Sequence, residues 1–208
     1  MNKESVSLGF GGVSVPLGSH LSALYRNREE KLAVIVPFIK TGLEQRAKCI
    51  YVFDEETRDG LEQALRGAGV DTGAALSSGQ LSILTSEETY LSEGYFTPEK
   101  MLDFYGTALH TAIQEGYGEV RITGEMTWAL QKRPGVERVI EYEAKFDKAF
   151  NTYPHISICQ YNIARVTGDF ILDVLKTHPD CILGGVLIHN HFYQPAEAFL
   201  KELGERPG

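Results

Sequence analysis

Positive charge is scarce in this chain. Its 208 residues carry 20 lysines and arginines against 28 aspartates and glutamates, which gives a formal net charge of −8. Binding to the phosphates of nucleic acids or acidic lipids requires clustered lysine and arginine side chains. The charge balance therefore argues against direct contact with nucleic acid or with an acidic membrane surface.

Long apolar runs are also missing. A membrane-spanning helix needs about 20 consecutive apolar residues, and no window of the chain approaches that length. Residues 1–20 contain glycine and serine where a secretory signal has a continuous apolar core. The three cysteines have no CxxC spacing, which is typical of free thiols in a reducing compartment. We therefore expect a cytoplasmic protein without membrane contact.

The chain does contain a regular alternation of apolar strand-like runs and amphipathic helical patterns. Strands are predicted at 20–25, 49–53, 81–84, 120–123, 156–160 and 181–188. Helices are predicted at 28–46, 57–68, 98–114, 134–150 and 168–176. This alternation predicts a three-layer α/β fold, in which helices flank both faces of a mostly parallel sheet.

The two ends of the chain depart from this pattern. Residues 1–19 are rich in glycine and serine, which predicts a flexible arm or an edge element before the domain at 20–193. Residues 194–208 are more polar and predict a tail or linker with a short helix that leaves the domain. Pro37 lies inside the first predicted helix, where its missing N–H predicts a kink or two shorter helices.

The segment after the first strand lacks the glycine-rich loop that binds nucleotide phosphates. It reads YRNREEK from Tyr25 to Lys31, with no glycine and no GK[ST]. Such loops bind phosphate through successive backbone N–H groups at a helix N-terminus, which Tyr25 and Arg26 cannot reproduce. Asn27 is predicted instead to cap the helix, with two glutamates in its first turn whose charge repels phosphate.

Several motifs in order along the chain resemble a known family. The run CIYVFDEET, GLEQALRGAGVD and SGQLSIL within 49–84 resembles the second βαβ unit of a KaiC-type RecA ATPase. Three further motifs narrow the resemblance, namely GSHLSALYRNREEKLAVIVPFIKTGLEQ at 18–45, GEMTWAL at 124–130, and ICQYN at 158–162 followed by LKTHP at 175–179. Together they resemble the MEDS domain, the methanogen and methylotroph, DcmR sensory domain, over about residues 18–193.

The resemblance implies a RecA/KaiC-like sensory module that lacks the phosphate loop. Members of that family stand alone or are joined to kinases and transcription regulators, and they are proposed to sense small hydrocarbon derivatives. By this resemblance, the chain is a non-catalytic signalling input domain that binds a small apolar molecule and relays its presence to a histidine kinase or a transcription regulator. We predict no cofactor and no catalytic residue. We also expect a homodimer, because the related ATPases assemble through sheet edges and helices.

The ligand is expected in the crevice at the carboxyl ends of the parallel strands, where open α/β sheets bind small molecules. Cys159 and Tyr161 alternate along one predicted strand and therefore share a face, where, with Tyr25, they would form a polarizable and aromatic wall. The candidate ligand-binding residues are His20, Tyr25, Arg26, Glu55, Glu125, Trp128, Cys159, Tyr161 and His178.

Several of these candidate residues also have structural explanations that involve no ligand. Asp54 is favoured as a helix N-cap, with the two glutamates that follow it solvated in the first turn. Trp128 fits a core position as well as a ligand wall, and a lone histidine is usually structural. His189 and His191 have the HxH spacing of two metal ligands, but the sequence identifies no third ligand, so no metal site is predicted.

Two alternative functions stay open at this stage. Glu55 and Glu56 occupy the place where KaiC-type ATPases carry the paired glutamate that activates water, which keeps a residual nucleotide-binding ATPase in view. Glu125, however, falls one or two residues late for a magnesium-binding carboxylate. The second alternative is an alkyl-accepting enzyme with Cys159 as its nucleophile, which requires a stabilised thiolate.

Overall fold

A computed structural model describes residues 4–206 of the chain. Its strands are β1 (Ser5–Ser7), β2 (Ser14–Pro16), β3 (Ser19–Tyr25), β4 (Lys48–Phe53), β5 (Leu81–Thr85), β6 (Val120–Glu125), β7 (His155–Asn162), β8 (Asp180–Leu183) and β9 (Val186–His189). Its α-helices are α1 (Arg28–Glu44), α2 (Arg58–Gly67), α3 (Thr72–Ser77), α4 (Pro98–Gln114), α5 (Val139–Phe150), α6 (Gly168–Thr177) and α7 (Ala196–Gly204). Short 3₁₀ turns lie at Thr127–Leu130 and Val136–Arg138.

Seven of these strands form one sheet in the order β5-β4-β6-β7-β3-β8-β9. All neighbouring strands are parallel except the last pair, β8 and β9. Apolar residues of α1, α2 and α3 pack on one face of the sheet. Residues of α4, α5, α6 and α7 pack on the other face, which is much richer in aromatic side chains. The predicted three-layer, mostly parallel α/β fold is confirmed.

Helix α1 begins as the sequence predicts. The Asn27 side chain accepts the backbone N–H of Glu30 at 2.9 Å, and the Arg26 guanidinium pairs with the Glu30 carboxylate at 2.5 Å. The helix then continues past Pro37 to Glu44 as one element, so the prediction of two shorter helices is wrong. Buried side chains on both sides of Pro37, such as Ile35 and Phe38, hold the two halves against the sheet.

The described part of the predicted N-terminal arm, residues 4–19, is folded rather than flexible. Strands β1 and β2 form an antiparallel hairpin. Leu8 is fully buried and Val15 is 2% exposed, both within the core that faces α1. The strands have three residues each, too few to show an alternating pattern in the sequence. Residues 1–3 of the predicted arm lie outside the described residues.

Two predicted elements have different bounds in the structure. The strand predicted at 181–188 is a hairpin of β8 and β9, because Gly184 and Gly185 adopt φ values of 59° and 76° and turn the chain back. The helix predicted from Pro134 becomes α-helical at Val139. Gly135, with φ 88°, lies so close to Phe96 that a Cβ atom would be 1.9 Å from the Phe96 carbonyl oxygen, and this tight turn delays the helix.

The predicted tail also packs on the domain instead of leaving it. Phe199 of α7 is fully buried, and α7 contacts both α5 and α6. The Lys176 ammonium pairs with the Glu202 carboxylate at 2.5 Å, and the Tyr193 hydroxyl donates to Asp147 at 2.8 Å. Residues 207 and 208 lie outside the described residues. No helix within residues 4–206 is long and apolar enough to cross a membrane.

Candidate functional site

The carboxyl ends of β4 and β6 meet around one buried carboxylate. Glu125 is the last residue of β6 and is 0% exposed. Its Oε2 atom accepts the backbone N–H groups of Asp54, Glu55 and Glu56, at 2.9, 2.6 and 3.1 Å. These three N–H groups follow β4 and precede α2, so the chain wraps around the carboxylate just where the strand ends.

The other oxygen of Glu125 is held by a buried cation. Its Oε1 atom lies 2.5 Å from the Lys31 ammonium and accepts the Tyr51 hydroxyl at 2.7 Å. Lys31 is 4% exposed. Burial alone would raise the pKa of Glu125, but the Lys31 charge and the hydrogen bonds outweigh it and hold that pKa below its usual range. Glu125 is therefore ionised within the fold.

The Glu125 carboxylate is an anion that lies where converging backbone N–H groups would otherwise bind an external anion. Successive backbone N–H groups that point at one centre form the kind of concavity that cradles phosphates in other proteins. Here the Glu125 carboxylate occupies that concavity, and a lysine balances its charge. The neighbouring space between Tyr25, Lys31 and Gln160 is about 10 Å³, room for a water molecule at most.

The acidic residues at the rim are also paired. The Glu55 carboxylate contacts Arg165, the Asn162 amide at 3.2 Å and the Tyr25 hydroxyl at 3.4 Å. The Glu56 carboxylate accepts the Arg28 guanidinium at 2.9 Å and is largely buried. The prediction that these two glutamates are solvated is wrong for Glu56, which the Arg28 guanidinium covers, whereas Glu55 is exposed at the rim.

The predicted cap of α2 is wrong for a similar reason. Thr57, not Asp54, caps α2, and its hydroxyl accepts the Gly60 N–H at 3.1 Å. The Asp54 carboxylate instead accepts the hydroxyls of Ser86 at 2.7 Å and Thr127 at 2.8 Å. Asp54 thus ties the end of β4 to the segments that follow β5 and β6.

A second group of titratable side chains lies on the opposite face of the sheet. We call it the His–Cys–Glu cluster: His20 of β3, Glu143 of α5, Cys159 of β7, and His178, which follows α6. His20 and Cys159 share this face because His20 pairs with Ser157 across the parallel ladder, two residues before Cys159. All four side chains are buried.

The Glu143 carboxylate is the centre of this cluster. Its Oε2 atom lies 3.1 Å from His20 Nε2, 3.4 Å from His178 Nε2 and 3.5 Å from Cys159 Sγ. The same His20 nitrogen lies 3.4 Å from Cys159 Sγ. Burial opposes ionisation of Glu143, but the two imidazoles outweigh it and keep its pKa well below the usual range. Burial and the Glu143 charge raise the pKa of the Cys159 thiol well above its ordinary value.

Aromatic rings enclose the cluster. The His20 ring lies 4.1 Å from the His178 ring and 4.9 Å from the Phe146 ring, measured between centroids. The Tyr161 and His178 rings are nearly perpendicular, with 5.8 Å between their centroids. All of these rings belong to the fully buried layer under α4 and α5. The cluster is therefore a group of polar side chains within an apolar layer, where a polar atom without a hydrogen-bond partner costs folding free energy.

Comparison with known proteins places this geometry in a family. Residues 19–179 match the family described as the MEthanogen/methylotroph, DcmR Sensory domain, or MEDS. The chain belongs to the MEDS family. All four residues of the His–Cys–Glu cluster, and Glu125 with its lysine partner, lie within the matched residues. The N-terminal hairpin β1–β2 and helix α7 lie outside them.

A curated relative and a solved structure are similar to this MEDS chain. The transcriptional repressor DcmR of Methylorubrum extorquens is 26% identical over 179 residues, which cover 86% of this chain and 64% of DcmR. The crystal structure of the KaiC-like protein PH0186 from the hyperthermophilic archaeon Pyrococcus horikoshii superposes with a TM-score of 0.59 at 15% identity. That match covers 86% of this chain and 79% of the archaeal protein. The second likeness concerns the fold alone.

The structure divides the predicted ligand-binding residues of this MEDS domain into two places. Tyr25, Arg26, Glu55 and Glu125 lie at the strand ends on the α1 side, where Arg26 is exposed and engaged with Glu30. The other predicted residues lie on the α5 side, namely His20, Trp128, Cys159, Tyr161 and His178. The wall predicted from Tyr25, Cys159 and Tyr161 does not form, because Tyr25 pairs with Asn162 and so faces away from the other two.

Trp128 is part of the core of this MEDS domain. It is fully buried, stacks on Tyr90 with 4.4 Å between ring centroids, and packs against Phe96. Tyr90 in turn donates to or accepts from the Tyr105 hydroxyl at 3.0 Å. Trp128 therefore supports the aromatic layer in which the His–Cys–Glu cluster lies.

Sequence reasoning did not identify Glu143 as a member of the site. A signal for it exists in α5, where Val139, Tyr142, Phe146 and Phe150 form the buried face. Glu143 has the same helical spacing, three residues before Phe146 and four after Val139, so a carboxylate stands on an apolar face. Such a position requires a buried partner, and the structure supplies two histidines.

Proposed function

We propose that this chain is the sensory part of a regulatory protein. In this proposal it binds a small apolar molecule, such as a hydrocarbon derivative, and relays its presence to a histidine kinase or a transcription regulator. Membership of the MEDS sensory family and the likeness to a transcriptional repressor support a sensory and regulatory role. The observation that carries the finer proposal is the His–Cys–Glu cluster within an aromatic layer.

The binding site we propose lies on the α5 side of the sheet, around Cys159, Tyr161 and His178. On the α1 side, the strand ends are filled by the buried Glu125 and Lys31 pair. On the α5 side, aromatic rings and a thiol offer the polarizable contacts that suit an apolar guest, and the imidazoles can orient one polar or halogen atom. The raised pKa of Cys159 favours a neutral thiol, which supports binding rather than nucleophilic attack.

Relay would proceed through the helices that carry the cluster. Glu143 belongs to α5, and His178 follows α6 directly. Both helices contact α7, whose Phe199 is buried against them. A ligand that binds one arrangement of α5 and α6 more tightly than another shifts the population of these arrangements. The surface near α7 is the part we expect a partner domain to contact.

Ligand binding should stabilise the protein in a saturable way. We expect one chemical class among small alkanes, haloalkanes and short-chain alcohols to raise the melting temperature by about 5–10 °C at 100 times its dissociation constant, as mass action predicts for a chain of this length. Thermal unfolding with each compound measures this. The Cys159→Ala variant should lose the response, whereas Cys49→Ala, a buried cysteine on the opposite face, should keep it. Equal responses from both variants would contradict the proposed site.

We also propose a homodimer through the edge strand β9. In the sheet of the described residues, β9 pairs only with β8, so its outer edge carries unpaired backbone groups. Leu183, Val186 and Ile188 on this hairpin are exposed. A second copy of the chain that pairs antiparallel along β9 would cover the edge and these side chains together.

Native mass measurement tests the dimer. We expect a mass twice that of the 23.1 kDa chain, and a monomer when Val186 and Ile188 are both replaced by lysine, because charged side chains block edge pairing. Ile113→Lys, on the exposed face of α4, is the matched control and should remain a dimer. A monomeric wild-type protein at micromolar concentration contradicts this proposal.

A cytoplasmic location is part of the same proposal. Cys49, Cys159 and Cys181 are all unpaired and buried, which fits a reducing compartment. A histidine kinase domain or a transcription regulator would meet the sensory domain there.

A further inference from the structure

We propose that the His–Cys–Glu cluster binds one divalent transition-metal ion, and that Zn²⁺ fits it best. One ligand atom from each of His20, Glu143, Cys159 and His178 lies within 4.8 Å of the other three. The four residues come from four separate segments of the chain, and all are buried. The ion would share Cys159 and His178 with the small-molecule site proposed above, and the experiments below measure the ion alone.

Four of the six distances between the proposed ligand atoms are close to those of a tetrahedral site. With zinc–nitrogen bonds of about 2.0–2.1 Å and zinc–sulfur bonds of about 2.3 Å, neighbouring ligand atoms are separated by roughly 3.3–3.7 Å. The distances from Glu143 Oε2 to the two imidazole nitrogens are 3.1 and 3.4 Å. Cys159 Sγ lies 3.5 Å from the same oxygen and 3.4 Å from His20 Nε2. The other two distances, from His178 to His20 and to Cys159, are at most 4.8 Å, so a shift of the His178 ring by about 1 Å brings all four atoms around one centre.

The hydrogen bonds of His178 orient it as a ligand. Its Nδ1 atom lies 2.8 Å from the Val174 carbonyl oxygen, which can only accept, so Nδ1 carries a hydrogen. Its Nε2 atom lies 3.4 Å from the Glu143 carboxylate and has no hydrogen-bond partner among the described residues. A metal ion between them satisfies both, and the Nδ1–H bond to a backbone carbonyl is the usual outer partner of a metal-binding histidine.

Other polar atoms of the cluster have bonding capacity left over. Among the residues that the structure describes, Glu143 Oε1, His178 Nε2 and His20 Nδ1 are buried and have no hydrogen-bond partner. Buried polar atoms in native proteins are normally paired, and exceptions indicate a missing water, ion or functional role. His178 Nε2 is one of the four proposed ligand atoms and would be satisfied directly by the ion, whereas Glu143 Oε1 belongs to the carboxylate whose other oxygen is a proposed ligand.

The charge balance also favours a divalent ion. Glu143 is fully buried, and within residues 4–206 its ion-pair partners are His20 and His178, with no lysine or arginine. Metal binding displaces the proton of the Cys159 thiol, and a Zn²⁺ ion with the resulting thiolate and one carboxylate has a net charge of zero, which the apolar surroundings tolerate. Nitrogen and sulfur donors select zinc and its neighbours in the first transition row over Mg²⁺ and Ca²⁺, which prefer oxygen.

The ion would join the parts of the domain that carry the cluster. Four protein ligands complete a tetrahedral shell, as in structural zinc sites. The bound ion then ties β3 and β7 of the sheet to α5 and to the end of α6.

Metal content and Co²⁺ spectroscopy test the proposal on the full chain. Protein purified without chelators should contain one zinc ion per chain by elemental analysis. After removal of the metal, Co²⁺ should bind one to one and give the strong visible bands of tetrahedral Co²⁺ together with a thiolate charge-transfer band. Cys159→Ser should abolish the charge-transfer band, and His178→Gln should weaken Co²⁺ binding on the order of 100-fold.

Two controls keep the test decisive. Cys49→Ser removes a buried thiol on the other face of the sheet, and His189→Gln removes an exposed histidine from the His189–His191 pair; both variants should keep wild-type metal binding. In the wild-type protein, Zn²⁺ should slow labelling of Cys159 by a thiol reagent at least tenfold relative to chelator-treated protein. Folded wild-type protein that binds neither Zn²⁺ nor Co²⁺ overturns the proposal. So does a full charge-transfer band in Cys159→Ser.

Discussion

Replacing Glu125 with alanine should lower the free energy of unfolding by about 3–5 kcal/mol, the range measured when one partner of a buried ion pair is removed. The substitution leaves the Lys31 ammonium without its 2.5 Å partner. It also leaves the three backbone N–H groups of residues 54–56, which are buried or partly buried, without their acceptor. Chemical denaturation of wild type and variant at pH 7 measures the difference.

A control at the rim separates this effect from general loss of charge. Glu55→Ala removes a carboxylate paired with Arg165 near the surface, where such pairs contribute roughly 0–1 kcal/mol. Added formate or phosphate should raise the melting temperature of Glu125→Ala by occupying the vacated cradle, and should leave wild type unchanged. A wild-type protein that binds Mg-ATP with micromolar affinity contradicts an occupied cradle and restores the nucleotide-binding alternative.

The Glu125 carboxylate should also make the free energy of unfolding depend on pH in the acid range. The folded-state pKa of Glu125 is lowered from 4.5, so its contribution is fully present above about pH 4.5 and is lost as pH falls through the folded pKa. Glu125→Gln, which cannot ionise, should be less stable than wild type at pH 7, and this difference should shrink below pH 4.5. A difference that stays constant with pH would mean that the ionised form has no special role.

Replacing Arg121 with alanine should have an effect of similar size, about 3–5 kcal/mol. The Arg121 guanidinium is 1% exposed and donates to the carbonyl oxygens of Phe38 at 2.7 Å and Ser7 at 2.8 Å. It also donates to the Gln45 amide oxygen at 2.9 Å and to the Glu119 carboxylate at 2.6 Å. One side chain thus joins β6, α1 and the N-terminal hairpin, and its loss leaves a buried carboxylate and several acceptors unpaired.

Arg121→Lys should recover little of the lost stability, because a single ammonium group cannot reach all the acceptors that surround the planar guanidinium group of arginine. Arg133→Ala, which removes an exposed pair with Glu87, is the control and should cost less than about 1 kcal/mol. Hydrogen exchange should show selective loss of protection in the β1–β2 hairpin of Arg121→Ala. Equal stability of the Arg121 and Arg133 variants would show that the buried guanidinium does not anchor the hairpin.

The fold of this domain was predictable because it depends on periodic burial. Alternating strands and amphipathic helices repeat through the chain, and α4 has the predicted bounds Pro98–Gln114, since a proline in the first turn marks its start. The cap at Asn27 follows from local chemistry in the same way. Elements without a long pattern were missed, such as α3 with six residues and the three-residue strands of the hairpin.

The candidate site was only partly predictable. The sequence offered His20, Cys159 and His178 as candidates from residue type and the family resemblance, but did not show that they meet. His20 and Cys159 are 139 positions apart in the chain, and parallel pairing of β3 with β7 places them side by side. Glu143 joins them from a helix whose sequence predicts a buried face without indicating what that face contacts.

The sequence by itself determined the α/β class, the MEDS family and the absence of a glycine-rich phosphate loop, because these are local patterns of residue type. The tertiary structure alone decided what replaced that loop, since the pairing of Glu125 with Lys31 joins positions 94 residues apart. It also decided which polar residues are buried together. Such contacts depend on strand order and helix packing, which many distant residues set jointly.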